Sequence, residues 1–145
     1  MSSLKNYPAI FEDMKVNVRI RLSGLWIAVM LCYIYGDIIG FYQPGFLQSV
    51  EAGRMGPLGN VNQGLLLGVA VFMSIPAIMV FLSLVLKPAP NRLLNIIFGS
   101  IYTLVMLITV FSGAWTYYIY LGIVEMILTV FVVLYALKWP KLNLK

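Results

Sequence analysis

Residues 93–113 read LLNIIFGSIYTLVMLITVFSG, residues 114–116 read AWT, and residues 117–137 read YYIYLGIVEMILTVFVVLYAL. Each long run is apolar enough to cross a bilayer, whose hydrocarbon core takes ~20 residues of helix. Only three residues separate them. A chain that leaves the membrane and re-enters so soon must run back beside itself, so these two helices are antiparallel neighbours. Two more apolar runs precede them, Leu22–Tyr42 and Gly64–Leu86. The expectation is an all-α integral membrane four-helix bundle, up-down-up-down, with spans at 22–42, 64–86, 93–113 and 117–137.

Composition agrees. Of the 145 residues 61% are hydrophobic and 10% charged, with mean hydropathy +0.93; soluble domains are about half apolar and about a quarter charged. Four spans and their connections account for the 145 residues as a single membrane domain. The first run lies close to Arg21, is longer than the apolar part of a secretory leader and is followed by no A-x-A cleavage pattern, so it reads as a retained helix.

Charge placement orients the bundle. Lys5, Lys15, Arg19 and Arg21 precede the first run, Lys87 and Arg92 lie between the second and third, and Lys138, Lys141 and Lys145 follow the fourth. Four crossings put these nine cations on one side, against Arg54 alone on the other. By the positive-inside rule both termini are cytoplasmic, and the location expected is the cell's inner (plasma) membrane. Trp139 marks the inner interface, and Tyr42, Trp115, Tyr117 and Tyr118 the outer one. The net charge of +5 belongs to these anchors and does not point to nucleic acid. With no histidine and the single Cys32, histidine-ligated haem, an intrachain disulfide and a cysteine metal cluster are ruled out, and no cofactor is indicated.

Two flanking segments have structure of their own. Ile10, Phe11, Met14 and Val18 share a helical face within residues 1–21, which suits an amphipathic surface helix. The outer segment 43–63 carries Pro44, Pro57 and four glycines; Phe46–Arg54 within it reads as a short interfacial helix and candidate lid.

Two acids, Asp37 and Glu125, lie inside spans, and no lysine, arginine or histidine lies inside any span to neutralise them. Asp37 is five residues before Tyr42 and Glu125 eight after Tyr117, roughly 8 Å and 12 Å along a helix from the outer ends. Both therefore fall in the outer leaflet. Buried there, each needs a proton, a hydrogen bond, water or a cation. Arg54 is the candidate partner from the chain; a ligand cation is the other. Tyr33 is one turn before Asp37, and Tyr118 is two turns before Glu125. Asn95, Gly99, Tyr102, Met106, Thr109 and Gly113 form a polar and small stripe on the third helix, with Thr109 near the depth of the acids. The candidate ligand-binding set is thus Asp37, Glu125, Tyr33, Tyr102, Thr109, Tyr118 and Arg54. The same acids read equally well as buried polar glue, and the stripe as close helix packing. Gly36/Gly40 and Gly64/Gly68 offer close helix contacts, and Pro76 a kink, with Ser74 and Ser83 available to the freed carbonyls.

No catalytic set, phosphate loop or metal motif is present, so the sequence leans away from an enzyme. Three roles remain: binding or transport of a small amphiphilic or cationic ligand, an accessory subunit of a membrane redox enzyme touching quinone, or a structural protein that forms oligomers. The partners implied are the lipid bilayer, such a ligand, and either a second copy or a membrane enzyme. Small multidrug exporters also have four helices and a membrane acid, but the charge bias here enforces one orientation.

The strings LWIAVMLCYIYGDIIGFYQPGFL, IPAIMVFLSLVLKPAPNRLLNIIFGSIYT and YYIYLGIVEMILTVFVVLYALKW resemble an uncharacterised family of small bacterial four-helix membrane proteins, a domain of unknown function. The resemblance covers roughly Met14 to Trp139, with Asp37, Pro44, Pro76, Asn91, Arg92 and Glu125 as its most family-like positions. The layout is also loosely similar to DoxX-type proteins, which implies quinone or redox partners. Neither resemblance carries over a catalytic residue.

Overall fold

The structure is a computed structural model and describes residues 14–140. It contains α1 (Val18–Gly40), α2 (Phe46–Glu51), a 3-10 turn (Gly56–Leu58), α3 (Gln63–Val85), α4 (Pro88–Phe111) and α5 (Thr116–Leu137). Among the described residues there is no strand, and α1, α3, α4 and α5 are each long and apolar enough to span a membrane.

Local chemistry sets the ends. Asn17 caps α1, its Oδ1 accepting from the Arg19 N–H at 2.9 Å, and Asn62 caps α3 in the same way toward Leu65 N–H at 2.9 Å. α1 therefore starts four residues before the apolar run. Arg19 and Arg21 lie within its first turn, and Arg19 Nη1 donates to the Leu84 carbonyl at the end of α3, 3.0 Å away. Arg92 Nε does the same to Ala136 near the end of α5, at 3.1 Å. These arginines are interhelical clamps as well as surface anchors, each satisfying a carbonyl that a helix end leaves without a partner. Pro88 and Pro90 fall in the first turn of α4 rather than in the connection. There proline lacks only N–H groups that have no intrahelical use. The tight return into α5 depends on Gly113 at φ 83°, a left-handed conformation that glycine adopts freely.

Of the predicted surface helix, Ile10 and Phe11 lie outside the described residues, Met14–Asn17 is not helical, and Val18 opens α1. In the outer segment the helix is shorter than expected. It stops at Glu51, two residues before Gly53 at φ 68°, and Arg54 instead pairs its backbone with Asn60.

α1 packs against α3 and α5, and α4 against α5; α3 and α4 meet more sparsely. The bundle thus closes with the first span beside the fourth. Leu22, Trp26, Met79, Tyr102 and Val132 form the fully buried centre. Gly99 is the tightest crossing of α4 and α5: a Cβ there would lie 2.8 Å from Val133 Cγ2 and 3.2 Å from Val132 Cγ1. The α4 stripe is turned inward as far as Met106; Thr109 is half-buried and Gly113 exposed. Gly68 has open space beside it, so the Gly64/Gly68 pair makes no helix crossing, whereas Gly36 and Gly40 do.

Pro76 removes the amide that would bond the Phe72 carbonyl. That carbonyl is taken by the Tyr102 hydroxyl from α4, while the two rings stack with centroids 4.5 Å apart. Ser74 instead bonds Val71, and Ser83 faces Asn95.

Candidate functional site

The seam between α1 and α5 is narrow because Gly36 and Gly40 lack side chains. A Cβ on Gly36 would lie 3.7 Å from Leu121 Cδ1 and 3.8 Å from Tyr118 Cε2; one on Gly40 would lie 3.3 Å from the Tyr117 hydroxyl. That antiparallel register sets Asp37 level with Tyr118, and Tyr33 level with Glu125, one turn deeper. The carboxyl of Glu125 is within electrostatic reach of Asp37, Tyr33, Tyr118 and Cys32, and Asp37 within reach of Tyr117 and Tyr118.

The two acids differ in setting. Glu125 is 4% exposed, whereas Asp37 is exposed at the edge of the seam. The Glu125 main-chain carbonyl accepts from Thr129 Oγ1 at 3.0 Å, but among the described residues its carboxyl group has neither a hydrogen-bond nor an ion-pair partner. Among the described residues the Tyr33 hydroxyl is the fully buried side-chain polar atom without a partner, whereas the Glu125 carboxyl keeps a little accessible surface. A donor and an acceptor, both unpaired, thus sit near each other at mid-seam, where burying an unpaired polar group is costly.

Of the remaining residues expected at the site, Tyr102 touches it only through its ring, 6.4 Å from that of Tyr33, because its hydroxyl is committed to Phe72. The Thr109 hydroxyl bonds Val105 of its own helix at 2.9 Å. Arg54 is exposed in the outer segment and pairs with neither acid. The outer segment does lean on the seam. Phe46 packs on Phe41 with centroids 5.8 Å apart and lies beside Gly40, and Gln43 Oε1 is 3.5 Å from the Tyr117 hydroxyl. Tyr117 and Cys32 join the cluster unexpectedly; the helical register of α1 and α5 is the signal that points to them.

A second polar cluster, at the end of the bundle where α1 begins (the inner end by the lysine and arginine count), was not anticipated as a unit. Trp26 Nε1 donates to Asn95 Oδ1 at 2.8 Å, Asn95 Nδ2 to Asn91 Oδ1 at 2.8 Å, and Asn91 Nδ2 to the Ser83 carbonyl at 2.7 Å. All four residues are fully buried, and the chain of bonds ties α1, α3 and α4 together. The four-residue spacing of Asn91 and Asn95 is its sequence signal. Among the described residues no cluster of metal-ligating side chains occurs.

Four apolar spans around an interior polar seam define a multi-pass membrane protein. Residues 9–145 match the family described as Family of unknown function (DUF6326), and the chain belongs to that family. Searches among curated proteins and among solved structures found no match.

Proposed function

We propose that this protein binds a small amphiphile bearing a cationic or proton-donating head at the α1–α5 seam, in the outer half of the membrane. The reading rests on one observation: the Glu125 carboxyl group and the neighbouring buried Tyr33 hydroxyl both lack partners among the described residues. A cationic head would complete Glu125. The faces of Tyr33 and Tyr118 would hold the charge by cation–π attraction and the apolar body by contact. Asp37, exposed at the seam, would attract the ligand, and the α2 segment would cover the entry. Termini on the cytoplasmic side, as the lysine and arginine count supports, would open this seam to the outside. No observation favours a quinone or redox partner.

The test is equilibrium binding of dodecyltrimethylammonium to the full-length protein in detergent-free lipid nanodiscs. Glu125→Gln should weaken binding at least ten-fold and Asp37→Asn about three-fold, by loss of a desolvated and of a screened charge respectively. Binding unaltered by Glu125→Gln overturns the proposal.

A further inference from the structure

At the opposite end of the bundle, where α1 begins and α5 ends, a groove of about 560 Å³ is lined by Lys15, Arg19, Arg21, Tyr135, Lys138 and Trp139, among others. Its cations come from two stretches more than a hundred residues apart in sequence, and among the described residues no acidic side chain lines it. Arg21 is held in place by Tyr135, its guanidinium 5.5 Å from the ring centroid. One nitrogen of Arg19 is fixed by the Leu84 carbonyl, which leaves the rest of its donor fork available. Lys15 and Lys138 are exposed. Asn17 and Val18 also line the groove, so the positive end of the α1 dipole opens into it. Four like charges gathered around one concavity repel one another, and an anion removes that repulsion.

We propose that this groove binds a phosphate anion, supplied by the headgroup of an anionic phospholipid. Two features favour a lipid over soluble phosphate. Trp139 and Tyr135 form the groove wall at the headgroup level, where amphipathic rings settle. Beside the groove wall, Phe131 packs on Tyr135 with ring centroids 6.3 Å apart and is itself exposed, an apolar surface along which an acyl chain can lie. The site is independent of the α1–α5 seam and of its ligand.

The experiment titrates the delipidated full-length protein in neutral detergent with dioleoylphosphatidylglycerol or dioleoylphosphatidylcholine, and separately with inorganic phosphate, read by native mass spectrometry. The phosphatidylglycerol should bind at least ten-fold more tightly than the phosphatidylcholine. Arg21→Gln and Lys138→Gln should each weaken it about five-fold, the scale of one basic residue at an anionic surface. Arg21→Lys, which keeps the charge, should stay within about two-fold. Lys87→Gln is the control, removing a cation near the same end that does not line the groove. If Lys87→Gln weakens binding as much as the groove variants, or if the two lipids bind alike, attraction is diffuse and the site is overturned. Tight binding of inorganic phosphate with the same variant pattern but no lipid preference would overturn the lipid assignment. Thermal unfolding of each variant checks that a loss of binding is not a loss of fold.

Discussion

Replacing Tyr102 by Phe removes one oxygen and leaves a backbone carbonyl stranded. The Phe72 carbonyl has no helical donor because residue 76 is proline, and the Tyr102 hydroxyl is what it receives instead. The ring itself would stay, wedged between Phe72 at 4.5 Å and Trp26 at 5.9 Å, centroid to centroid, so little packing changes. The cost is then that of one unsatisfied buried acceptor, about 1–3 kcal/mol in water-soluble cores. Interhelical bonds in membrane proteins fall lower, about 0.6–1.7 kcal/mol, and about 1.5 kcal/mol is the value expected here, because Tyr102 is fully buried. The decisive step is a double-mutant cycle with Pro76→Ala. An alanine restores the amide at position 76, which can bond the Phe72 carbonyl in the ordinary helical way. In that background Tyr102→Phe should cost less than about 0.5 kcal/mol, leaving a coupling of about 1 kcal/mol between residues on different helices. Reversible unfolding in bicelles, followed by steric trapping, measures all four corners. An equal cost for Tyr102→Phe in both backgrounds would refute the claim that the hydroxyl substitutes for the amide missing at Pro76.

Other substitutions test the rest of the bundle. Gly99→Ala places a methyl 2.8 Å from Val133 Cγ2 and 3.4 Å from the Thr129 carbonyl, so it should destabilise by about 1–3 kcal/mol; Gly68→Ala meets open space and should be neutral or slightly stabilising in the same assay. Asn95→Leu strands Trp26 Nε1 and Asn91 Oδ1 together and should cost about 2 kcal/mol, with a shift in tryptophan emission; unfolding at the wild-type midpoint would show that the inner network is dispensable. Both-ends-in topology predicts, in a Cys32→Ser background, that a membrane-impermeant maleimide added outside cells labels Gln48→Cys and not Lys138→Cys; the reverse pattern would invert the bundle.

The spans were legible because length and apolarity in a bilayer leave few alternatives, and the three-residue return at Ala114–Thr116 fixed one neighbour pair outright. Their ends were less so. Charge marks where a span leaves the hydrocarbon, but helix α1 continues through Arg19 because that side chain reaches a carbonyl of α3, a contact 65 residues away in sequence. Pro88 and Pro90, which lie between the expected spans, are tolerated inside a first helical turn. At the candidate site, sequence placed Asp37 and Glu125 in the outer half, and the structure sets them near each other across the α1–α5 seam. It could not show that Tyr102 answers Pro76 rather than the acids. The choice between those partners is tertiary, and a lone tyrosine carries no sign of it.

The two halves of this bundle treat buried polarity in opposite ways. In the inner half every conspicuous group is answered: Trp26 by Asn95, Asn95 by Asn91, Asn91 by the Ser83 carbonyl, and the end of α3 by Arg19. The same chain therefore has the means to satisfy polar groups deep in its core. In the outer half, the Glu125 carboxyl and the buried Tyr33 hydroxyl have no partners among the described residues although they lie near each other. On insertion scales an ionised acid costs about 2.5–3.5 kcal/mol relative to an apolar residue at the bilayer centre, and less at the outer-leaflet depth of Glu125. Structural cement would be placed where it is bonded. A carboxyl group held unbonded beside an unbonded hydroxyl lowers stability, and that cost is offset when something from outside the chain completes the pair. The inner half thus carries the bonded polar network, and the α1–α5 seam is where the proposed ligand would supply the partner that Glu125 and Tyr33 lack.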